Sequence, residues 1–160
     1  MLVGVAGLTA CTEDATPSPD PRTVTSGATP DPPDQDDVTL VVGAIADEER
    51  LLAYCSVVSR RHGSLRDGLR PLQARQRAHV EGLRSILTDV DPEPRSLRPR
   101  APANAQRALA SLVERLTQTR NARFDDCVAA TSGLLAGRLA SLSASHAASA
   151  YLLGAPRAPR

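Results

Sequence analysis

Residues 69–86 read LRPLQARQRAHVEGLRSI. The inward positions of this stretch recur every three or four residues, which is the spacing of one face of an α-helix. On that face Gln76 and His79 occupy positions where a buried helix surface usually carries apolar side chains. The pattern therefore predicts a helix that buries polar as well as apolar groups.

The same period continues from residue 38 to residue 153, and no segment of the sequence alternates as a strand does. Asp36 or Asp37 is the expected N-cap of the first helix, and Pro71 suits the first turn of the second. Ser132 and Gly133 form the expected break between the last two helices. The predicted helices cover residues 38–62, 71–88, 103–131 and about 135–153.

The helical spacing also predicts the inward faces of the first and third helices. On the third helix, apolar contacts are expected from Leu109, Leu112, Val113, Leu116, Phe124 and Val128. On the first helix, the predicted stripe is Val38, Val42, Ile45, Glu49, Leu52 and Ser56, with Val41, Glu48 and Cys55 beside it.

The connection between the second and third helices is rich in proline, from residue 91 to residue 102. About a dozen residues in an extended conformation reach roughly 35 Å, which is the length of a helical bundle. The sequence therefore predicts an all-α, four-helix bundle at 38–153, made of two helical hairpins joined by a long crossover.

The N-terminus has the pattern of an export signal. A short apolar run ends in small residues directly before Cys11, and residues 8–11 read Leu-Thr-Ala-Cys. This resembles the lipobox of bacterial lipoproteins, although no basic residues precede the apolar run. The resemblance implies that residues 1–10 are a signal segment and that Cys11 carries lipid, which would anchor the chain at the extracytoplasmic face of the cell membrane.

Residues 11–37 are rich in proline and acidic side chains, and they read as a disordered tether. Residues 154–160 read as a flexible tail. Between Thr12 and Asp37 there are seven acidic residues and one Arg, which leaves the rest of the chain at about +7 given the overall net charge of +1. An envelope protein or an anionic cell-wall polymer is therefore a candidate partner besides the membrane.

The two predicted hairpins carry polar residues at matching positions of their second helices. His79 follows Gln76 by three positions, and His146 follows Ser143 by three. Glu49 and Glu114 lie on the preceding helices. The layout resembles the ferritin-like superfamily, in which a Glu on one helix and Glu-x-x-His on the next face a central metal pair. With the lipobox and acidic tether, it is similar to actinobacterial lipoproteins with a degenerate ferritin-like domain, a grouping that brings no established activity.

The resemblance implies Glu49, His79, Glu114 and His146 as candidate metal ligands. Gln76 and Ser143 occupy the positions of two further carboxylates, so a di-iron centre lacks anionic oxygen donors. Two interpretations remain open. The histidines are either part of a satisfied polar cluster inside the bundle, with no cofactor, or ligands of a single zinc, copper or iron ion.

Cys55 and Cys127 remain once Cys11 is lipidated, and outside the cytoplasm two such cysteines often pair. If Glu49 and Glu114 lie level on antiparallel helices, however, the two cysteines are roughly 28 Å apart, too far for a disulfide. A break in the third helix near Thr119 would bring them together. The sequence leaves the disulfide open.

The sequence contains no phosphate loop, zinc-protease signature or nucleophile motif, so no catalytic residue is predicted. Aromatic residues are limited to Tyr54, Phe124 and Tyr151, which argues against nucleic acid as a partner. The expected function is a non-catalytic binding or interaction role in the cell envelope, and the alternative is binding of a transition metal.

Overall fold

The computed structural model describes residues 34–87, 92 and 98–155, and every regular element among them is helical. The predicted all-helical fold with four long helices is confirmed. The proposed signal segment, Cys11 and most of the tether and tail lie outside the described residues. The elements are α1 (Gln35–Arg61), a single 3₁₀ turn (Gly63–Leu65), α2 (Arg66–Arg84), α3 (Ala105–Ala129) and α4 (Gly133–Gly154).

The start of α1 differs from the prediction because another aspartate caps it. Asp34 accepts a hydrogen bond from the backbone N–H of Asp37 at 2.8 Å, so the N-cap is neither Asp36 nor Asp37. The carboxylate of Asp37 is buried and accepts the backbone N–H groups of Thr131 and Ser132, both at 2.9 Å. The first turn of α1 is thereby tied to the connection between α3 and α4.

The other helix ends follow from their caps. α2 begins at Arg66, so Pro71 lies in its second turn rather than its first, and the helix ends at Arg84 instead of near residue 88. Asn104 and Ser132 cap α3 and α4 with their side-chain oxygens. The predicted break at Ser132 and Gly133 is confirmed.

The helix directions can be read from contacts at the helix ends. Asp37 at the start of α1 contacts Thr131 after the end of α3, while the His62 ring at the end of α1 donates to the Pro102 carbonyl before α3 at 2.9 Å. α1 and α3 are therefore antiparallel. Because α1 and α2 form a hairpin, α2 and α3 point the same way, and the connection between them joins opposite ends of the bundle.

The core is divided into two apolar clusters. One is formed by Leu51, Tyr54, Cys55, Val58, Leu65, Leu69, Leu72, Ala101, Ala108, Leu112 and Leu116. The other is formed by Val41, Ala44, Ile45, Val80, Leu83, Leu135 and Leu139. On α1, α2 and α4 the positions between these clusters carry polar side chains, and the candidate site lies there.

α3 buries a cation where apolar contacts were predicted. Phe124 and Val128 are 61% and 73% exposed, so their expected place in the core is wrong. Arg123 takes the inward position instead, 2% exposed, and its guanidinium pairs with Asp47 at 3.0 Å and Asp126 at 2.7 Å. None of the helices in residues 34–87 and 98–155 combines the length and the hydropathy that a membrane-spanning segment needs.

Candidate metal centre

A buried polar layer separates the two apolar clusters. α1 contributes Glu48, α2 contributes Gln76 and His79, and α4 contributes Ser143 and His146. Glu48, Gln76 and His146 have no exposed surface. A helix places residues three and four apart on one face, so each of these side chains continues the inward face of its helix.

Glu48 is the centre of this layer because both histidines contact its carboxylate. His146 donates from Nε2 to Glu48 Oε1 at 2.7 Å, and His79 donates from Nδ1 to Oε2 at 3.3 Å. The two imidazole rings meet edge to face with centroids 5.3 Å apart. The histidines of the two hairpins therefore meet inside the bundle, as their spacing in the sequence suggested.

The environment of Glu48 favours its ionised form. Burial on its own raises the pKa of a carboxyl group, but hydrogen bonds from His146 and His79 outweigh that effect and lower the pKa of Glu48 to about 2. The carboxylate is thus a full negative charge inside the bundle, and the histidine nitrogens that face it carry the protons it accepts.

A further contact orients His79. The Ser145 hydroxyl lies 3.3 Å from His79 Nε2, the ring nitrogen that does not face Glu48. Hydrogen bonds of this kind fix the ring orientation and tautomer of histidines that bind metals. The side chain of His79 is 12% exposed, so the layer is reached from solvent on the α2 side.

Two polar groups in the layer lack partners among the described residues. Both amide atoms of Gln76 and the Nδ1 atom of His146 are buried without a hydrogen bond. An unpaired buried polar group costs roughly 1–3 kcal/mol. The layer is therefore not a polar cluster fully satisfied by protein groups.

The structure does not bring Glu49 or Glu114 to the histidines. Glu49 pairs with Arg84 at 2.8 Å at the surface of the α1–α2 hairpin. Glu114 is exposed and accepts a hydrogen bond from Gln118 at 3.4 Å. Two of the four candidate ligands predicted from the sequence are thus misplaced, and Glu48 takes the place assigned to Glu49.

The physical reason is the phase of α1 and its register against α3. The buried face of α1 runs through Val41, Glu48 and Cys55, which flank the predicted stripe, so the carboxylate that points inward is one residue earlier than expected. Arg115 of α3 stacks over Tyr54 of α1 at 4.3 Å, which places α3 residue 114 near α1 residue 55 rather than 49.

The two cysteines do not pair. Cys55 is a buried free thiol, and Cys127 is a partly buried free thiol. α3 is continuous through Thr119, so the break that would have brought them together is absent. With residue 114 near Cys55, Cys127 lies thirteen residues farther along α3, about 20 Å, whereas a disulfide needs Cα atoms within about 7 Å.

Ser143 of the layer and His62 outside it have structural partners. Ser143 donates its hydroxyl hydrogen to the Arg120 carbonyl at 3.0 Å, so it does not face Glu48. The His62 ring is at the end of α1 and bonds the Pro102 carbonyl. Neither residue belongs to the candidate centre.

Glu48, His79 and His146 have the donor chemistry of a transition-metal site. One oxygen or nitrogen from each lies within 4.8 Å of the other two. A tetrahedral ion with bonds of about 2.0–2.1 Å holds its donors about 3.3 Å apart. The two histidines lie against different oxygens of the same carboxylate, His146 against Oε1 at 2.7 Å and His79 against Oε2 at 3.3 Å, so all three side chains converge on one region of the layer.

Sequence reasoning missed Glu48 as the carboxylate that contacts the histidines and Arg123 as a core residue. The sequence placed Glu48 only beside the predicted buried stripe of α1. Spacings of three and four residues fit a stripe through Glu48 as well as one through Glu49, so the pattern could not choose between them. Arg123 carried no signal, because a charged residue is normally assigned to the surface. A comparison of the chain with protein-family models, curated proteins and solved structures finds no match, so the function has to be argued from the site itself.

Proposed function

We propose that this chain is an extracytoplasmic lipoprotein whose helical bundle holds a single transition metal ion at Glu48, His79 and His146. The observation that carries the metal site is the buried carboxylate contacted by two imidazoles at 2.7 and 3.3 Å. Two histidines and one carboxylate are the protein ligands of many zinc and non-haem iron sites.

The helix directions support a ferritin-like arrangement. Two antiparallel hairpins are joined by a connection between opposite ends of the bundle, and the second helix of each hairpin supplies one histidine. Metal sites in such bundles are built from side chains that project inward from facing helices. The centre differs from a di-metal site in having one carboxylate, which favours a single ion.

The unpaired groups favour binding over a purely structural role. A polar layer that only supports the fold is expected to satisfy its own hydrogen bonds. Here the Gln76 amide and His146 Nδ1 are buried without partners among the described residues.

The lipid anchor is supported by the sequence at residues 8–11. Replacing Cys11 with Ser should release the protein from the membrane fraction and abolish incorporation of labelled fatty acid. Membrane retention of the Cys11→Ser chain, together with the absence of label on the native chain, would contradict the anchor.

Metal titration tests the centre directly. The Cys11→Ser chain, stripped with a chelator, is titrated with Zn²⁺, Fe²⁺ and Co²⁺ by calorimetry, and bound metal is measured after dialysis. We expect one ion per chain. A ligand present at 100 times its dissociation constant should also raise the unfolding free energy by about 2.7 kcal/mol.

Matched variants identify the ligands. Glu48→Gln and His146→Ala should each abolish stoichiometric binding, while Glu49→Gln and Glu114→Gln should leave it unchanged. His62→Ala controls for loss of a histidine elsewhere. If no metal is retained by the native chain, or if the Glu49 variant loses metal as readily as the Glu48 variant, the assignment is wrong.

A second candidate is a non-catalytic interaction role in the envelope. It is favoured by the uneven charge of the bundle, because the first helix has Asp34 as its N-cap, two aspartates in its first turn and two arginines in its last turn. This role is compatible with the metal centre, because it would use the charged surface of the bundle and not the buried layer.

A further inference from the structure

One end of the bundle is strongly basic. Residues 60–70 and 98–107 meet there, since the hydrogen bond from His62 to Pro102 joins the end of α1 to the segment before α3. These two stretches contain seven arginines and one carboxylate, Asp67. We call the seven exposed arginines the basic end: Arg60, Arg61, Arg66, Arg70, Arg98, Arg100 and Arg107.

The single carboxylate does little to neutralise this charge. Asp67 pairs with Arg70 at 2.7 Å, but both side chains are largely exposed, and exposed pairs contribute little. The opposite end of α1 carries Asp34, Asp36 and Asp37. α1 is about 40 Å long, several times the Debye length of about 8–10 Å, so the acidic end does not screen the basic end in physiological salt.

We propose that the basic end docks on the anionic headgroups of a membrane surface. Arginine side chains near an anionic membrane are attracted to its negative surface potential. A second observation favours a membrane over a soluble anionic polymer. α4 finishes at the same end of the bundle, and its last turn leaves Tyr151 and Leu152 76% and 68% exposed. Tyrosine and leucine next to basic residues are typical of surfaces that enter the lipid interface.

The segment between the proposed lipid anchor and the bundle is long enough for the basic end to reach the same membrane that holds the anchor. Asp34 follows Cys11 by 23 positions. At about 3.3 Å per residue this segment can extend to about 75 Å, which exceeds the 40 Å length of α1. This step rests on the proposed lipid anchor, whereas the docking itself requires neither the anchor nor a metal. An acyl anchor and a basic patch together bind membranes more firmly than one signal alone.

Vesicle binding tests the proposal. The full Cys11→Ser chain, without metal, is sedimented with vesicles of phosphatidylcholine alone or mixed with phosphatidylglycerol. We expect salt-sensitive binding to the mixed vesicles only. Each arginine near an anionic surface changes the partition coefficient about fivefold, so a triple variant of Arg61, Arg66 and Arg100 to Gln should lower it about 100-fold. The matched control changes three exposed arginines outside the basic end to Gln, namely Arg77, Arg120 and Arg138.

The outcomes separate a membrane from other partners. Tyr151→Ser with Leu152→Ser should weaken vesicle binding even at high salt, and should leave binding to inorganic polyphosphate unchanged. Equal losses in the two triple variants, equal binding to both kinds of vesicle, or binding to polyphosphate without any to vesicles would each overturn the proposal. The assay uses a chain without the acyl anchor and without metal. A negative result would therefore leave the proposed lipid anchor and metal centre untouched.

Discussion

Replacing Glu48 with Gln in the metal-free chain should lower the unfolding free energy by roughly 3 kcal/mol at neutral pH. The figure comes from linkage, because folding lowers the pKa of Glu48 from its ordinary value of 4.5 to about 2, and each pKa unit corresponds to about 1.4 kcal/mol. Gln has the same shape but no charge for the two imidazoles to stabilise. Urea denaturation in the presence of a chelator measures the change.

The pH dependence gives a second readout of the same reasoning. A carboxyl group whose pKa is lowered by folding contributes its stability above its unfolded pKa, and loses it as the pH falls through the folded pKa. The gap between the native and Glu48→Gln chains should therefore be full above pH 4.5 and shrink toward pH 2.

Glu49→Gln is the matched control, one residue away on the same helix. It removes only a surface pair with Arg84, which is worth about 0–1 kcal/mol. If the two variants lose similar stability, or if the gap for Glu48→Gln does not change between neutral and acidic pH, then the carboxylate is not held by the histidines as described.

Three further results are expected. Asp37→Ala should cost about 2–4 kcal/mol in urea denaturation, because two backbone N–H groups lose a buried acceptor, while Asp36→Ala should change little. Leu112→Ala should cost about 2–5 kcal/mol by thermal and urea unfolding, since the side chain is fully buried, and a loss under 1 kcal/mol would mean that this part of the core is not packed as described. In the Cys11→Ser chain, Cys127 should react with a maleimide under native conditions and Cys55 only after unfolding, because burial raises the pKa of Cys55 to about 12; mobility that changes on reduction would indicate a disulfide instead.

The helices and the meeting of the histidines could be predicted from the sequence. Apolar residues at helical spacing, together with the Ser132–Gly133 break, fixed the number of helices and their approximate limits. The matching positions of His79 and His146, each three residues after a polar partner, indicated that the second helices of the two hairpins face a common interior. Their ring centroids are 5.3 Å apart.

The carboxylate could not be predicted because its choice depends on tertiary packing. Glu48 and Glu49 are neighbours, and a rotation of α1 by one residue, about 100°, exchanges which of them points inward. The rotation of α1 is set by the packing of Val41 in one apolar cluster and Cys55 in the other. This packing depends on residues of the other helices, so the sequence of α1 alone does not determine it. The register of α3 against α1 is likewise set by contacts between residues far apart in the sequence. The position of Glu114 along the bundle, relative to α1, could therefore not be inferred.

The register of α3 also bears on how many ions the proposed centre could hold. A second divalent ion beside Glu48 would need another anionic oxygen donor from α3, but the buried side chain of α3 near this height is Arg123, whose guanidinium pairs with Asp47, the residue before Glu48. Asp47 and Asp126 are both engaged by that guanidinium, so neither offers a free carboxylate to a second ion. Among the described residues, Glu48 is then the only carboxylate that contacts the two histidines, and one carboxylate matches the single ion that we propose for this layer.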